Sequence, residues 1–452
     1  MAFQQGLSGL NSSAKALDVI GNNVANSSTV GFKAAEGHFA DVYAASLGNG
    51  GASQIGIGTN LAAIMQQFTQ GNVSTTNNTL DIAINGNGFF RLSQNGAVSY
   101  SRNGQFHLDK NGYIVNDQNL RLTGYPAGAD GTIRPQTPTE LQITPDLLSL
   151  NPVATGQSVG GEYAGVRLSL ALDSREKSKT WTAPPAAQAI PSVDPAMYNY
   201  STAQTIYDTL GNAHTLTYYF VKEAATNSWR MYGSVDGTST RSVDGNTPLN
   251  MDVGVPVTFN TSGQLVSFNG DTTTPFEAAL SFNINKVVSD LQTANPAVPN
   301  NGAAATLAFN INFTGSTQTG QATSVKRMLQ DGYSAGNLNG MSISSEGVIQ
   351  GRYSNGQTRN IGQMVLANFD NPNGLQSIGG NQWIETSESG QPTVGSPGSG
   401  RLGAVQSNAV EESNVDLTSE LVKMITQQRN YQANSQTIKT QDQIMQTIVN
   451  LR

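Results

Sequence analysis

Apolar residues recur at heptad spacing at both ends of this chain, and that feature divides it into helical termini and a middle of another kind. At the N-terminus Phe3, Leu7, Leu10, Ala14, Leu17 and Val24 follow steps of 4, 3, 4, 3 and 7, the seam of an amphipathic helix. Gln4, Gln5, Ser8, Asn11, Ser12 and Lys15 take the other face. Gly6 and Gly9 lie inside the pattern, each about 1 kcal/mol less favourable than alanine. A helix of this length is marginal alone, so this segment needs a partner.

The C-terminus has the same character. Leu417, Met424, Tyr431, Ile438 and Met445 recur every seven residues. Leu421 and Val449 sit on the companion positions, which Gln428, Ser435 and Asp442 interrupt, and Ile425, Ile444, Ile448 and Leu451 widen the stripe. No Gly or Pro occurs from Ser413 to Arg452. A helix over most of that stretch is ~55 Å long at 1.5 Å per residue. Ser413 with Asp416 three residues on is a weak capping-box signal. The polar face carries Gln427, Gln428, Gln432, Gln436, Gln441, Gln443 and Gln446 rather than the charge pairs of a solvated helix. An amide-covered face is buried against copies of itself at lower desolvation cost than a charged one. Two such ends make either an intramolecular coiled coil or an assembly domain that packs against other subunits. The amide face and the N-terminal glycines favour assembly.

Between the ends the chain reads as β. Leu80 to Leu92 alternates and breaks at Asn85-Gly86-Asn87-Gly88, a hairpin signal. Tyr100 to Asn116 repeats the device around a turn at Asp109 to Gly112. His214 to Val221, Trp229 to Val235, Val255 to Phe259, Leu265 to Phe268, Ala305 to Phe313 and Gly362 to Phe369 are further strands, with a turn at Thr261-Ser262-Gly263. Short strands with turn signals between them predict antiparallel sandwiches or barrels. The predicted fold is therefore multidomain and mainly β with helical termini paired in a coiled-coil-like assembly domain. Its expected parts are 1–30 with 412–452 (helical), 31–75 (an extended arm through the Gly-rich Gly48 to Gly58), 76–148 with 332–411 (inner β), and an inserted outer β domain, 149–331.

Composition excludes several function classes. Of 452 residues 12% are charged, against a typical ~25%. The net charge is −7, so no nucleic-acid partner is expected, since that affinity needs clustered cations. The absence of cysteine removes disulfides, thiolate metal sites and thiol nucleophiles. His38, His107 and His214 stand far apart, outside any zinc or triad spacing. No membrane-length apolar run and no secretory h-region are present. The Gly-x-Gly after Asn85 lacks the third glycine of a dinucleotide site. Asp109 to Gly112 lacks the bidentate glutamate of a calcium loop. Glu411-Glu412 reads as a solvated pair before the last helix, and Trp181, Trp229 and Trp383 as core or loop packing. No catalytic, cofactor or metal residue is assigned.

The ends carry a resemblance. Ala25-Asn26-Ser27-Ser28-Thr29-Val30-Gly31-Phe32-Lys33 resembles the N-terminal signature of bacterial flagellar rod and hook proteins, and Ser413 to Leu451 resembles their C-terminal helix. Leu80 to Leu92 and Tyr100 to Asn116 are similar to β segments of the same family. Tyr207 to His214 and Val257 to Leu265 resemble segments of its hook branch, as does the long insert between the β core and the final helix. The resemblance implies a structural subunit of the hook, a curved flexible tube that acts as a universal joint. Partners would be further copies of the chain, the distal rod, the hook cap, the hook–filament junction proteins and the type III export apparatus. It also implies an extracellular location reached without a cleaved signal peptide. The assembly residues it implies are Phe3, Leu7, Leu10, Ala14, Leu17, Val24, Ala25, Asn26, Gly31, Phe32 and Lys33 at the N-terminus. At the C-terminus they are Leu417, Leu421, Met424, Tyr431, Ile438, Met445 and Ile448. Another flagellar axial protein, of rod or junction, and a secreted adhesin stay open as alternatives.

Overall fold

The heptad-bearing ends fold as two long helices, Ala2–Ala25 and Leu417–Asn450, packed side by side. The computed structural model describes residues 2–42, 56, 58–128, 130–158, 164–183, 190, 193–238, 254–300 and 302–450, with only the backbone of residue 2 and residues 448–450. Most of the expected Gly-rich arm at 48–58, part of the Pro-rich stretch at 184–195, and the side chains of Ile448, Val449 and Leu451 lie outside the described residues. The C-terminal helix is capped by Asp416, not by Ser413. The Asp416 carboxylate accepts from the backbone N–H of Thr418 and Ser419 at 2.9 and 3.1 Å, which satisfies two donors of the first turn.

After the first helix the chain forms an antiparallel two-stranded ribbon, Ala35–Val42 with Gly58–Gln66, bulged between His38 and Phe39. A fourteen-stranded sheet follows. Its central order is 149–150, 336–343, 348–353, 358–364, 121–126, 89–94, 97–101, 382–384 and 376–379. One core of Ile82, Ile84, Phe90, Leu92, Leu122, Ile349, Met364 and Leu366 lies under it.

The hairpin expected at Asn85–Gly88 does not form. Ile82–Asn85 pairs with Ala404–Ser407 instead, and Ile82, Ala83 and Ile84 are all buried. A strand covered on both faces belongs inside a fold rather than in a surface hairpin. The hairpin comes one strand later, where Asn95 and Gly96, both at positive φ, join Phe89–Gln94 to Ala97–Ser101 in the geometry that Asn-Gly favours. The turn at Asp109 does form. Its carboxylate accepts from the N–H of Asn111 and Tyr113 at 2.8 and 2.7 Å.

The insert is built from two five-stranded sheets. One is a meander, Tyr200–Tyr207, Ala213–Lys222, Ser228–Val235, Val255–Phe259 and Leu265–Phe268. The other contains Glu277–Asn283, Thr306–Asn312, Val166–Asp173, Thr317–Thr319 and Ser324–Gln330, with Val166–Asp173 parallel to two of its neighbours. The helix Ile284–Ala294 adds Ile284, Val287 and Val288 to a single core shared by both sheets. Trp229, fully buried there, donates its indole N–H to Gln318 of the facing sheet at 3.2 Å.

Candidate assembly interface

The two helices run antiparallel. A Cβ added at Gly6 would lie 3.2 Å from Ile438 Cγ1, and one at Gly9 would lie 2.8 Å from Asn434 Nδ2. At the other end Asn23 Nδ2 donates to Glu420 Oε2 at 3.2 Å. The face that the first helix turns inward is Gly6, Gly9, Ser13, Ala16, Ile20 and Asn23, with Gly6, Ser13, Ala16, Ile20 and Asn23 buried. Apart from Ile20 these are small or polar residues at heptad spacing, which let two backbones come close. On the C-terminal helix the matching positions are Glu420, Met424, Gln427, Asn434, Ile438 and Gln441, all buried or half-buried.

The large apolar residues singled out from the sequence sit one residue later on the first helix, about 100° round it. Leu10, Ala14, Leu17 and Val24 are half-buried, while Phe3 and Leu7 are exposed. On the C-terminal helix Met424 and Ile438 are on the inward face, and Leu417, Leu421, Tyr431 and Met445 are exposed. Val422, Ile425 and Ile444 add to them, with Val422 at 60% and Met445 at 61% exposure. From the pairing of Gly6 with Ile438, the C-terminal helix runs past the start of its partner by roughly eight residues, ~12 Å at 1.5 Å per residue. Ile444 and Met445 lie on that overhang.

The signature after the first helix forms a joint. Ala25 is exposed and Phe32 half-buried, and Asn26 Nδ2 donates to Asn22 O at 2.9 Å. Gly31 has φ +71°, and a Cβ there would meet Asn103 N at 2.6 Å, so only glycine fits. Its N–H donates to Glu411 O at 2.7 Å. Lys33 Nζ donates to Glu411 Oε1 at 2.6 Å and to Thr69 O at 2.7 Å. Arg102 donates to Glu411 Oε2 at 3.2 Å and to Gly86 O at 3.0 Å, and Gly71 N–H donates to Glu411 Oε1 at 2.9 Å. Burial pushes the Lys33 ammonium and the Arg102 guanidinium below their ordinary values, with Glu411 pulling against it. Glu411, at 1% exposure, is thus no solvated residue. Its neighbour Glu412 is exposed, as expected of both.

Two asparagines complete the joint. Asn23 exchanges two hydrogen bonds with the backbone of Ala35, at 2.8 and 2.9 Å. Asn414 accepts from Ala34 N at 2.7 Å and donates to Gln67 O at 2.6 Å. The same end of the ribbon, where Ala35 pairs with Gln66, is pinned on its second strand as well. Trp383 Nε1 donates to Gln66 Oε1 at 2.6 Å, and Phe68 stands edge-on to Phe89 and Trp383. Asn23, Arg102 and Asn414 were not singled out in the sequence, and Glu411 was read there only as a solvated residue. The one signal for Asn23 is that it occupies a heptad position.

Four family models match the chain. They are "Flagella basal body rod protein" over residues 3–33, "Flagellar hook protein FlgE/F/G D1 domain" over 83–157, "Flagellar basal body protein FlaE D2 domain" over 171–333, and "Flagellar basal body rod FlgEFG protein C-terminal" over 406–451. The flagellar hook protein FlgE of Escherichia coli K12 is 40% identical over 457 residues, and that of Salmonella typhimurium LT2 40% over 459, each match spanning 100% of both chains. The Borreliella burgdorferi hook protein is 32% identical over 473 residues, 100% of this chain and 99% of the relative. The crystal structure of Helicobacter pylori flagellar hook protein FlgE2 aligns at 15% identity and a TM-score of 0.49, over 75% of this chain and 100% of that one. With 40% identity over matches that span the whole of both chains, the chain belongs to the flagellar hook protein FlgE family.

Proposed function

We propose that copies of this chain build the wall of a curved, flexible tube, the flagellar hook, which passes torque from rod to filament as a universal joint. As a member of the hook protein family the chain is a structural subunit of the flagellum outside the cell, and not an enzyme. The observation that carries the proposal is the uncovered apolar surface of the two terminal helices. Within one chain they meet mainly through small and polar residues beside Ile20, Met424 and Ile438, and Phe3, Leu7, Leu417, Leu421, Val422, Ile425, Tyr431 and Met445 remain exposed. Fully burying one such side chain is worth about 1.5–3 kcal/mol, so several per subunit favour association strongly. Different surfaces of one chain meeting in a contact that does not close give an open helical assembly.

In this reading the helices line the tube, residues 31–75 bridge to the inner β region, that region meets its neighbours, and residues 149–331 face solvent. Leu10, Ala14, Leu17, Val24, Met424, Ile438 and Ile448 complete the helical assembly set, and the joint from Ala25 to Lys33 orients it. The distal rod, the hook cap, the junction proteins and the export apparatus are the proposed further partners, with export through an N-terminal signal that is not cleaved.

The test compares the intact chain with one lacking 1–30 and 412–452, each concentrated in high sulfate and viewed by negative-stain electron microscopy. Tubes from the intact chain alone are expected. Monomers from both would overturn the reading in favour of a non-polymerising adhesin, and tubes from both would move the main contacts to the β regions.

A further inference from the structure

Two stretches of chain connect the inner and outer β regions, and they pair at one point. Val153 N donates to Tyr333 O at 3.0 Å, and Tyr333 N to Val153 O at 2.9 Å. On the outer side of that bridge both stretches are tied down. Thr155 N donates to Tyr207 O at 3.0 Å, Tyr207 N donates to Thr155 Oγ1 at 2.9 Å, and the Asp331 carboxylate accepts from Gly156 N and Ser158 N at 2.8 and 3.2 Å. On the inner side Leu150 pairs with Gly336 in the large sheet. Pro152, Ser334 and Ala335 lie between.

A turn from the outer region reaches across the bridge to these residues. It spans Asp208 to Asn212, and its Gly211 has φ +79°. A Cβ at Gly211 would lie 2.5 Å from Pro152 Cβ, 3.1 Å from Ser334 Cα and 3.4 Å from Ala335 N. The turn therefore bears on both connecting stretches at once, on the far side of their bridge from its own domain. Its shape is set by Asp208, whose carboxylate accepts from Leu210 N, Asn212 N and Asn212 Nδ2, each at 2.9 Å. His214 sits behind it, 5% exposed. Its Nδ1 lies 2.7 Å from Asp236 Oδ2 and its Nε2 3.4 Å from Asp208 Oδ2. A carboxylate only accepts, so both ring nitrogens are satisfied together only when both carry protons.

We propose that the Asp208–Asn212 turn is a stop that sets the angle between the outer and inner β regions, and that the His214 imidazolium clamped between Asp208 and Asp236 holds the stop in place. Loss of the proton leaves one ring nitrogen with its lone pair against a carboxylate, and the turn loses its backing. The titratable groups facing the ring are those two aspartates. Burial works against the cation, but hydrogen bonds and charge from Asp236 and Asp208 outweigh it and raise the group above its ordinary 6.5. The stop is then engaged below that ordinary value and released as pH rises through the raised one.

The cysteine-free chain makes the test direct. Ala97→Cys in the inner region and Ala225→Cys in the outer, both at exposed positions, take spin labels in the full-length protein at dilution that keeps it monomeric. The distance distribution between them is measured by double electron–electron resonance at about pH 6, below the ordinary histidine value, and at steps of rising pH above it. A narrow distribution at the lowest pH that at least doubles in width as pH rises is expected. His214→Gln should be broad throughout. Pro152→Gly, which removes the surface the turn bears on without altering the outer domain, should also be broad throughout. Equal, narrow distributions in all three proteins would overturn the proposal. So would a broad His214→Gln beside a narrow Pro152→Gly, since the clamp would then support only its own sheet. A broad Pro152→Gly with no response of the parent chain to pH would overturn the histidine's part.

Discussion

The Lys33 ammonium donates to Glu411 Oε1 over 2.6 Å, and neither side chain has any exposed surface. Arg102 meets the other oxygen of the same carboxylate, so one anion holds two buried cations, drawn from the start, the middle and the end of the chain. Removing a single partner of a buried ion pair costs about 3–5 kcal/mol, because the remaining charge is left unpaired. Glu411→Ala leaves two cations facing each other and should fall at the upper end of that range. Denaturant unfolding followed by tryptophan fluorescence would read it. Glu412→Ala, one residue along and exposed, is the control, with an expected change within about 0.5 kcal/mol.

Gly31 gives a second test of the same joint. Alanine there has to hold φ at +71° and place its Cβ 2.6 Å from Asn103 N and 2.7 Å from Arg102 C. Both obstacles are backbone, which cannot swing aside. Gly31→Ala should cost more than about 1 kcal/mol and should weaken the docking of the first helix, read as faster amide exchange over residues 26–35. Gly96→Ala, at a positive φ but with no atom within 4 Å of its Cβ, should be milder.

The heptad period was legible at both ends because it is a property of the chain alone. The face that each helix turns to the other was not. The pairing face of the first helix is Gly6, Gly9, Ser13 and Ala16, residues whose value is closeness rather than apolar area, and a reading that ranks positions by size picks the stripe one residue away. The joint was illegible for another reason. Lys33 and Glu411 are 378 positions apart, and Arg102 and Glu411 309. Nothing local marks Glu411 apart from Glu412, and burial alone separates them. In the middle, alternation found the strands, but the Asn-Gly signal at Asn85 pointed to the wrong pairing, because the buried strand Ile82–Asn85 takes its partner, Ala404–Ser407, from the other end of the sequence.

The outer region should lose stability as pH rises above the ordinary histidine value. His214 is raised above its ordinary 6.5 by Asp236 and Asp208 against the effect of burial. A raised histidine binds its proton more tightly in the folded state. Its contribution is complete below the unfolded value of 6.5 and is lost as pH climbs through the folded one. Thermal unfolding followed by Trp229, buried in that core, should show a falling midpoint over this interval. In His214→Gln that part of the slope should be absent.

The contrast between the two faces of the C-terminal helix separates folding from assembly. Val422 and Ile425 are exposed at 60% and 52%, so Val422→Glu and Ile425→Glu should change the stability of the single chain by no more than about 0.5 kcal/mol. Ile438 is half-buried against Gly6. A carboxylate there is desolvated without a partner, and Ile438→Glu should cost about 1–3 kcal/mol and loosen the helix pair. In sedimentation and electron microscopy all three should fail to form tubes, but only Ile438→Glu should also lower the unfolding midpoint of the monomer. If Val422→Glu and Ile425→Glu still polymerise at the parent concentration, the exposed stripe is no contact between copies, and the surfaces that join subunits must be sought on the ribbon and the β regions.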